Sequence, residues 1–454
     1  MPDTRSLAPV FADIVGQDNM IADPDRLNAL AIDGVVPGLL ASPKTIEETS
    51  NIMATAYKNN LAVVPIGGGT KMSLGGIPSR ADILISTKRM NRYIDYDIDN
   101  LTIELECGET IAAAQAKLAA EGKGYFLPLD PPHSRDATVG GVVATNDNGP
   151  RRLLYGGLRD NVLGNILVLP NGEIVKAGGK VVKNVASYDL TKLCIGSLGS
   201  LGIICRTTFK IYLKPEAEAT LFLSFKELKE AGSFLRKVIS SFYYPAALEL
   251  MTANALTNYK DLIKTDGNYI VAIGLEGISE AVERQNKDLS EMGKNEGAST
   301  AASVKGESHR NFWLAYKDFT DELTKTDPNL VLLKSNFVIS QHAEMFAASE
   351  KALKDTGLKY ALAAHAGSGI LYTAILAGQD LETKKESLVG KIKQLTDRAV
   401  EHDGNLVVEK APLSVKRKIS VWGQMKDGFH LARGLKEKFD PTGIINPGRY
   451  IGGI

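Results

Sequence analysis

The chain has 454 residues, of which 44% are hydrophobic and 23% are charged, as is typical of a soluble globular protein with two or three domains. Lysine plus arginine balances aspartate plus glutamate at 53 each, which excludes a strong field for nucleic acid, so we expect no nucleic-acid partner. The three cysteines, Cys107, Cys194 and Cys205, are too few and too far apart in sequence to ligate an iron–sulfur cluster alone.

The sequence shows neither a membrane span nor a targeting signal. No apolar run approaches the roughly 20 residues that cross a bilayer. The N-terminus lacks the basic start and apolar stretch of a signal peptide. With so few cysteines, we predict a cytoplasmic protein without a transmembrane segment, and leave open peripheral attachment at the inner membrane through partners.

The N-terminal half predicts helices and strands that alternate around glycine-rich turns. A helix is predicted over 44–60, with Thr45 as N-cap and Glu48 three residues later, and another helix is predicted to end on Gly122. Strand-like runs are LAVVPIGG, ADILIS, LTIELEC and NILVLP. From about residue 219, strand-like runs alternate with helical stretches, which predicts an open α/β sandwich with helices on one face.

The first of five glycine-rich turns, PIGGGTK at 65–71, follows a predicted strand. Consecutive glycines permit positive φ and expose successive backbone N–H groups that can bind phosphate. The GxGxxG pattern fails, because the sixth position counted from Gly67 is Met72. The P-loop pattern fails as well, because Val181 follows the one Gly-Lys pair in a glycine-rich turn.

Four further turns follow in order within about 140 residues. They are LDPP with ATVGGVVATN, GPRRLLYGGLRDNVLG, GGKVVKNVASYDL and GSLGSLGII. Their order resembles the FAD-binding domain of the vanillyl-alcohol-oxidase-type flavoproteins, the PCMH-type fold. GPRR, RDNVLG and KNVASYDL are most similar to the FAD-binding subunit of bacterial glycolate oxidase and to FAD-linked 2-hydroxy-acid dehydrogenases. The tail FDPTGIINPGR at 439–449 is similar to the end of those proteins.

The resemblance covers 31–215 closely and 216–454 loosely, and it implies an α+β fold. We expect an N-terminal extension (1–30), a PCMH-type FAD-binding domain of two α/β subdomains (31–215), an α/β sandwich cap over the flavin (216–403), and a C-terminal segment returning to the flavin (404–454). FAD would be bound non-covalently, because the only histidine of the binding domain, His133, is best interpreted as a solvated side chain. FAD would carry the hydride chemistry.

The resemblance also implies which residues hold FAD. The turn at 65–71 would hold the pyrophosphate, the second turn the flavin and ribityl chain, the fifth turn the adenine end, and the tail the isoalloxazine. The cofactor-binding residues expected are Pro65, Ile66, Gly67, Gly68, Gly69, Thr70, Lys71, Pro131, Thr138, Gly140, Gly141, Ala144, Asn146, Gly149, Tyr155, Gly202, Ile203 and Asn446.

Three positions depart from the family pattern. Ile66 stands where arginine is common, Leu198 replaces an acidic residue, and Ser187 replaces glycine. None of these changes removes a backbone donor, so we expect FAD binding to be retained.

The metal motif of the D-2-hydroxy-acid dehydrogenases, HxGDGNxH with a later GEHG, is only partly present. This chain reads HAGSGILY from His365 to Tyr372, and VEKA around Glu409. His365 and Glu409 are the candidate metal ligands, but two ligands are too few for a closed site. A reduced metal site stays open, and we favour a degenerate site without a resident divalent metal.

The predicted function is that of an FAD-binding subunit of a glycolate- or lactate-type 2-hydroxy-acid dehydrogenase. Electrons would leave through FAD to an iron–sulfur partner or quinone, in a hetero-oligomer with a second FAD subunit and an iron–sulfur subunit. The alternatives are a self-sufficient FAD-dependent alcohol oxidase and a non-catalytic FAD-holding assembly subunit. Because a small carboxylate needs a cation beside the flavin, the candidate catalytic and substrate-contacting residues are His365, Tyr188, Arg151 and Lys183, with Arg152, Tyr155 and Lys410 as further contacts.

Overall fold

The computed structural model describes residues 4–179, 189–255 and 267–454. The chain divides into two compact units: unit 1 is Met1–Asn148, Gly156–Leu213 and Met425–Ile454, and unit 2 is Gly149–Tyr155 and Lys214–Gln424. The chain therefore passes between the units at 148/149, 155/156, 213/214 and 424/425. In the described residues, no helix is long and apolar enough to cross a membrane.

Strands and helices are numbered separately, each in chain order. The strands are β1 (Met20–Ile21), β2 (Leu39–Ala41), β3 (Val63–Ile66), β4 (Ile83–Ser86), β5 (Tyr93–Asp97), β6 (Thr102–Glu106), β7 (Tyr125–Phe126), β8 (Val162–Val168), β9 (Ile174–Gly178), β10 (Ile203–Lys210), β11 (Tyr212–Leu213), β12 (Ala217–Phe225), β13 (Ala247–Thr252), β14 (Tyr269–Gly277), β15 (Thr300–Lys305), β16 (Val331–Asn336), β17 (Lys359–His365), β18 (Ile370–Leu376) and β19 (Asn405–Lys410). The helices are α1 (Thr4–Val15), α2 (Pro24–Asn28), α3 (Ile46–Lys58), α4 (Ile111–Ala120), α5 (Val139–Thr145), α6 (Arg152–Tyr155), α7 (Leu158–Asn161), α8 (Leu190–Cys194), α9 (Leu228–Ile239), α10 (Ser279–Asn295), α11 (Gly306–Tyr316), α12 (Phe319–Thr326), α13 (His342–Lys354), α14 (Leu381–Glu401), α15 (Leu413–Lys416) and α16 (Phe429–Phe439).

Unit 1 contains two main sheets. The first has the order β1-β2-β4-β3, in which β2, β4 and β3 are parallel, and the second is antiparallel with the order β5-β6-β10-β8-β9. One hydrophobic core joins them, since Val63 of β3, Phe209 of β10 and Ile445 of the tail belong to the same buried cluster. This arrangement corresponds to the two α/β subdomains that the sequence predicts for this half of the chain.

Two helices predicted in unit 1 are present with the predicted capping, but α3 and α4 each end two residues before the predicted boundary. Thr45 caps α3, because its hydroxyl accepts from the backbone N–H of Glu48 at 3.1 Å. The Glu48 carboxylate in turn accepts from the backbone N–H of Lys44 at 2.6 Å. Helix α4 ends at Ala120, and Gly122 follows with φ 69°, a conformation that glycine adopts without strain.

Unit 2 is built on one antiparallel eight-stranded sheet with the order β15-β12-β14-β13-β17-β18-β16-β19. Strand side chains alternate between its faces: Leu221 and Leu223 pack in the core beneath α9, α10, α13 and α14, whereas Phe222 packs on the opposite face. The prediction of helices on one face was therefore wrong in part. Helices α11 and α12 cover the second face, because aromatic residues such as Phe312 and Phe319 bury their rings there.

Candidate functional site

A cleft lies within unit 1 between glycine-rich stretches of backbone. Three glycine-rich segments and the C-terminal tail form its walls. Its lining residues are Pro65, Ile66, Gly67, Gly68, Gly69, Thr70, Lys71, Met72, Thr87, Ala137, Thr138, Gly140, Gly141, Val142, Ala144, Thr145, Asp147, Leu198, Gly199, Gly202, Ile203, Ile204, Asn446 and Arg449.

The turn after β3 packs directly on the segment that begins α5. A Cβ added to Gly68 would stand 1.8 Å from the carbonyl oxygen of Asp136, and one added to Gly67 would stand 2.1 Å from Oγ1 of Thr138. No side chain fits at such distances, so the two backbones approach as closely as glycine allows. Two glycine-rich segments that are distant in sequence thus form one continuous wall of backbone.

This wall offers backbone donors to a bound anion. The backbone N–H groups of Gly68, Gly69 and Thr70 find no acceptor within the described residues. The Lys71 ammonium lies 3.4 Å from the carboxylate of Asp147, and both residues line the cleft. Successive free N–H groups beside a cation are the arrangement that binds phosphate oxygens. The residues present therefore fit a ligand that carries a pyrophosphate.

The C-terminal tail forms another part of the cleft lining, and backbone hydrogen bonds to β3 hold the tail in place. The backbone N–H of Val63 donates to Ile444 at 2.8 Å, and that of Asn446 donates to Val63 at 2.7 Å. The Asn446 side-chain amide donates to the carbonyl of Leu198. Sequence reasoning assigned Asn446 to the flavin end but overlooked Arg449 three residues later.

Arg449 is a buried cation at the cleft. Its guanidinium donates to the carbonyl oxygens of Met72 and Leu74 at 2.7 and 2.6 Å, and burial lowers its pKa to about 10. The sequence contained a signal for Arg449, because this arginine ends the NPGR motif of the tail that resembles the family.

The structure brings most of the predicted cofactor residues to this cleft. Pro131 and Asn146 lie in unit 1 but do not line it, and Asn146 instead ends α5 with φ 52°. Gly149 and Tyr155 belong to unit 2. The predicted residues that line the cleft are Pro65, Ile66, Gly67, Gly68, Gly69, Thr70, Lys71, Thr138, Gly140, Gly141, Ala144, Gly202, Ile203 and Asn446.

A second constellation lies in unit 2, where a row of polar side chains crosses five adjacent strands on the face covered by α11 and α12. Nδ1 of His365 lies 2.6 Å from the Glu249 carboxylate, and the His365 ring centroid lies 5.4 Å from that of Tyr372. The Lys334 ammonium lies 5.4 Å from the Tyr372 ring centroid and 3.5 Å from the Glu409 carboxylate. We call these five residues the polar row.

The candidate metal ligands His365 and Glu409 stand near the two ends of the polar row. They belong to β17 and β19, which β18 and β16 separate. Three strand spacings amount to roughly 14 Å between their backbones. In the described residues, His365 contacts Glu249 and the Lys334 ammonium pairs with Glu409. Each candidate ligand therefore has a protein partner of its own.

Comparison with known proteins identifies the chain. Its residues 37–178 match the FAD binding domain family, and residues 214–450 match the FAD linked oxidases, C-terminal domain. The chain belongs to the FAD-linked oxidases. The glycolate oxidase subunit GlcD of Bacillus subtilis strain 168 is 29% identical over 424 residues, which are 91% of this chain and 89% of that protein.

Other relatives agree with this assignment. A D-lactate dehydrogenase of Archaeoglobus fulgidus is 28% identical over 424 residues, 91% of each chain. The solved structure of p-cresol methylhydroxylase with substrate bound superposes with a TM-score of 0.78 at 15% identity, covering 98% of this chain and 96% of that one. The last likeness shows the shared fold. The predicted family, fold class and FAD cofactor are confirmed, and this FAD-linked oxidase is an FAD-dependent oxidoreductase.

Arg151, predicted to contact substrate, is instead the centre of an ion-pair network in unit 2. Its guanidinium donates to Glu276 at 2.8 Å and to Glu218 at 3.0 Å, and the Tyr155 hydroxyl donates to Glu276 at 2.6 Å. Glu218, Glu276 and His309 are close enough to hold a metal ion. The Arg151 guanidinium supplies a positive charge to both carboxylates of this cluster.

The remaining candidate residues are placed as follows. Tyr188 and Lys183 lie outside the described residues. Lys410 lies at the end of β19, and burial lowers the pKa of its ammonium while the Asp321 charge opposes that shift. Arg152 begins the short helix α6 of unit 2.

The buried His309 makes the stability of unit 2 sensitive to acid. It is 2% exposed, and burial lowers its pKa from 6.5 to about 4. The folded state keeps the imidazole neutral while the unfolded chain protonates below pH 6.5, so stabilisation present above pH 6.5 is lost as the pH falls to 4. We expect a loss of about 3 kcal/mol from this residue.

Urea unfolding at pH 7 and pH 4 measures this loss, with His309→Gln as the matched variant. The free energy of unfolding of the variant should depend less on pH than that of the natural chain. Equal pH dependence in the two proteins would contradict the assignment to His309.

The three thiols are expected to be unreactive in the folded protein. Cys107, Cys194 and Cys205 are all buried and free, and burial raises the pKa of Cys194 and Cys205 to about 12 and that of Cys107 well above its usual value. Because the thiolate is the nucleophile, Ellman's reagent at pH 8 should label no thiol in the native protein and all three in urea. Fast labelling of the native protein would show that one of these sites opens.

Proposed function

We propose that this FAD-linked oxidase oxidises a small 2-hydroxy acid to the 2-oxo acid, acting on the CH–OH group. The observation that carries the proposal is His365 in the polar row, where a buried carboxylate orients an imidazole. Relatives that align over nine-tenths of the chain are named glycolate oxidase subunit and D-lactate dehydrogenase, which supports the same substrate class. When bound, FAD supplies the two-electron acceptor.

The proposed role of the chain's own residues is to bind the cofactor, to hold the substrate and to receive its proton. The cleft of unit 1 would hold FAD non-covalently, since the described residues that line it include neither histidine nor cysteine. The Lys334 ammonium would give the polar row a positive charge without a metal ion, and Glu409 fixes its position.

We further propose that the electrons leave to another protein, an iron–sulfur subunit, or to quinone. All three cysteines are buried and widely separated in sequence, so a cluster must reside on a partner. A hetero-oligomer with a second FAD subunit is part of this proposal, and the name of the Bacillus relative, a subunit, supports it.

The test is anaerobic titration of the purified yellow protein with D-lactate, L-lactate and glycolate, following the loss of the flavin bands. At least one of these acids should bleach the flavin, and propionate, which lacks the hydroxyl, should not. Reoxidation by a dye acceptor should outpace reoxidation by air. A colourless folded protein, or a flavin that none of the acids reduces, would overturn the proposal.

A further inference from the structure

Glu249 is a fully buried carboxylate at the centre of the sheet of unit 2. It lies on β13 with 0% exposure, and directly opposite His365 of β17 in the strand register. Its Oε2 atom lies 2.6 Å from Nδ1 of His365 and 2.7 Å from the hydroxyl of Tyr316. Its Oε1 atom finds no donor within the described residues. One oxygen therefore receives both contacts that stabilise the buried group.

These two contacts decide where the proton of the imidazole lies. The Tyr316 hydroxyl stays protonated, because burial and the Glu249 charge raise its pKa well above the ordinary value, so it donates to Oε2. A buried carboxylate without compensating donors is strongly unfavourable, which makes Nδ1–H of His365 the second donor. In the neutral ring Nε2 then carries a lone pair, and this atom makes no hydrogen bond to any described residue.

We propose that Glu249 is a positioning residue that holds His365 with Nε2 as the acceptor for the substrate hydroxyl proton. This inference rests on the proposed function. The O–H bond of the 2-hydroxy acid breaks and its proton forms an N–H bond at Nε2. When FAD is bound, it would accept the hydrogen of C2 together with its electron pair, and a 2-oxo acid would remain. The resulting imidazolium faces the Glu249 carboxylate, which stabilises it.

The surroundings of His365 support a proton acceptor over a metal ligand. The neighbouring strand offers Tyr372, and the next offers Lys334, an ammonium that would repel a cation. Within the described chain, the residues that converge as metal ligands are elsewhere, at Glu218, Glu276 and His309. His365 thus has an orienting carboxylate on one side and no second ligand on the other.

The first test reads the proton directly and needs no substrate. The chain has six histidines, so ¹⁵N-histidine labelling with two-bond ¹H–¹⁵N correlation can resolve them, and His365→Gln identifies the signal of His365. We expect the Nδ1–H tautomer for His365 in the natural protein, and loss of that fixed tautomer in Glu249→Gln. An Nε2–H tautomer in the natural protein, or an unchanged signal in the variant, would overturn the inference.

The second test measures the rate of flavin reduction by the 2-hydroxy acid that bleaches the natural protein. Glu249→Gln keeps the shape of the side chain and should lower the rate roughly 100- to 10,000-fold with little change in substrate Kd, because the imidazole loses its orientation. Tyr316→Phe keeps the carboxylate and should lose less than tenfold. Dithionite should reduce the flavin at the same rate in all variants.

Glu350→Gln is the control for removal of a tyrosine–carboxylate hydrogen bond, here a partly buried one. Glu350 accepts from the Tyr269 hydroxyl at 2.8 Å in the same unit, and both belong to elements of the opposite face of the sheet. The flavin of the Glu350→Gln variant should be reduced by the 2-hydroxy acid at the same rate as the flavin of the natural protein. Equal slowing in Glu350→Gln and Glu249→Gln would show a merely structural role. If the tautomer is as expected but no 2-hydroxy acid bleaches the natural protein, the proposed function is wrong. The catalytic role inferred for His365 and Glu249 is then wrong as well.

Metal analysis separates the competing explanation. The natural protein treated with EDTA should keep its full rate of flavin reduction. Loss of the rate on chelation, with recovery on adding a divalent cation, would make His365 a metal ligand and overturn the inference.

Discussion

Replacing Gly68 by alanine is expected to weaken FAD binding by about 100-fold. The new Cβ would stand 1.8 Å from the carbonyl oxygen of Asp136, so the turn after β3 must move away from the segment that begins α5. A displacement that costs about 3 kcal/mol, the upper part of the usual range for overpacking, corresponds to this loss. Fluorescence quenching of free FAD during titration of the apoprotein measures the Kd.

Gly434→Ala is the control for this substitution. Gly434 lies in α16 of the same unit, and no atom stands within 4 Å of its added Cβ. The FAD affinity of this variant should equal that of the natural protein, and α16 should gain about 1 kcal/mol of stability. Natural affinity in Gly68→Ala would mean that the close contact of the two turns is not needed to hold the cofactor.

Lys436→Met is expected to lower the free energy of unfolding by about 3–5 kcal/mol, the cost of breaking a buried ion pair on one side. The Lys436 ammonium donates to the Asp440 carboxylate at 2.7 Å, and to the carbonyls of Ser200 and Ile445 at 2.9 and 2.7 Å. Without it, Asp440 remains 2% exposed and its charge has no cationic partner, although the backbone N–H groups of Ile444 and Ile445 still donate to it. Urea unfolding followed by circular dichroism measures the change.

Lys438→Met serves as the comparison, because Lys438 lies two residues later in α16 with its side chain exposed. It should change stability by less than about 0.5 kcal/mol. Adding Asp440→Asn to Lys436→Met should recover part of the loss, since it removes the stranded charge. Equal stability of the two lysine variants would show that the tail is held by its backbone contacts alone.

The sequence was sufficient to predict most residues of the cleft in unit 1, because the determinants of that cleft are local. Consecutive glycines at 67–69 follow a predicted strand, and Thr138 precedes a helix, so each turn can be identified without knowing the fold. Leu198, which stands where the family pattern has an acidic residue, shows the same dependence on local backbone. It adopts φ 53°, and its carbonyl oxygen accepts from the Asn446 side chain. The backbone of Leu198, and not its side chain, therefore makes the contact in this turn.

The polar row could not be derived in the same way, because strand order decides it. Glu249 and His365 are 116 positions apart and become neighbours only because β13 pairs with β17. A lone acid in the apolar run ALELM was the available signal, since a buried carboxylate requires partners. The ion pairs of Arg151 depend on the fold in the same way, because Glu218 and Glu276 are far from it in the sequence.

The four passages of the chain between its units have a consequence for biosynthesis. The cleft is lined by residues 65–72 and also by Asn446 and Arg449, which are synthesised after all of unit 2. The hydrogen bonds between β3 and residues Ile444 and Asn446 can therefore form only after all of unit 2 has been synthesised. A nascent chain arrested before residue 446 therefore lacks one wall of the cleft.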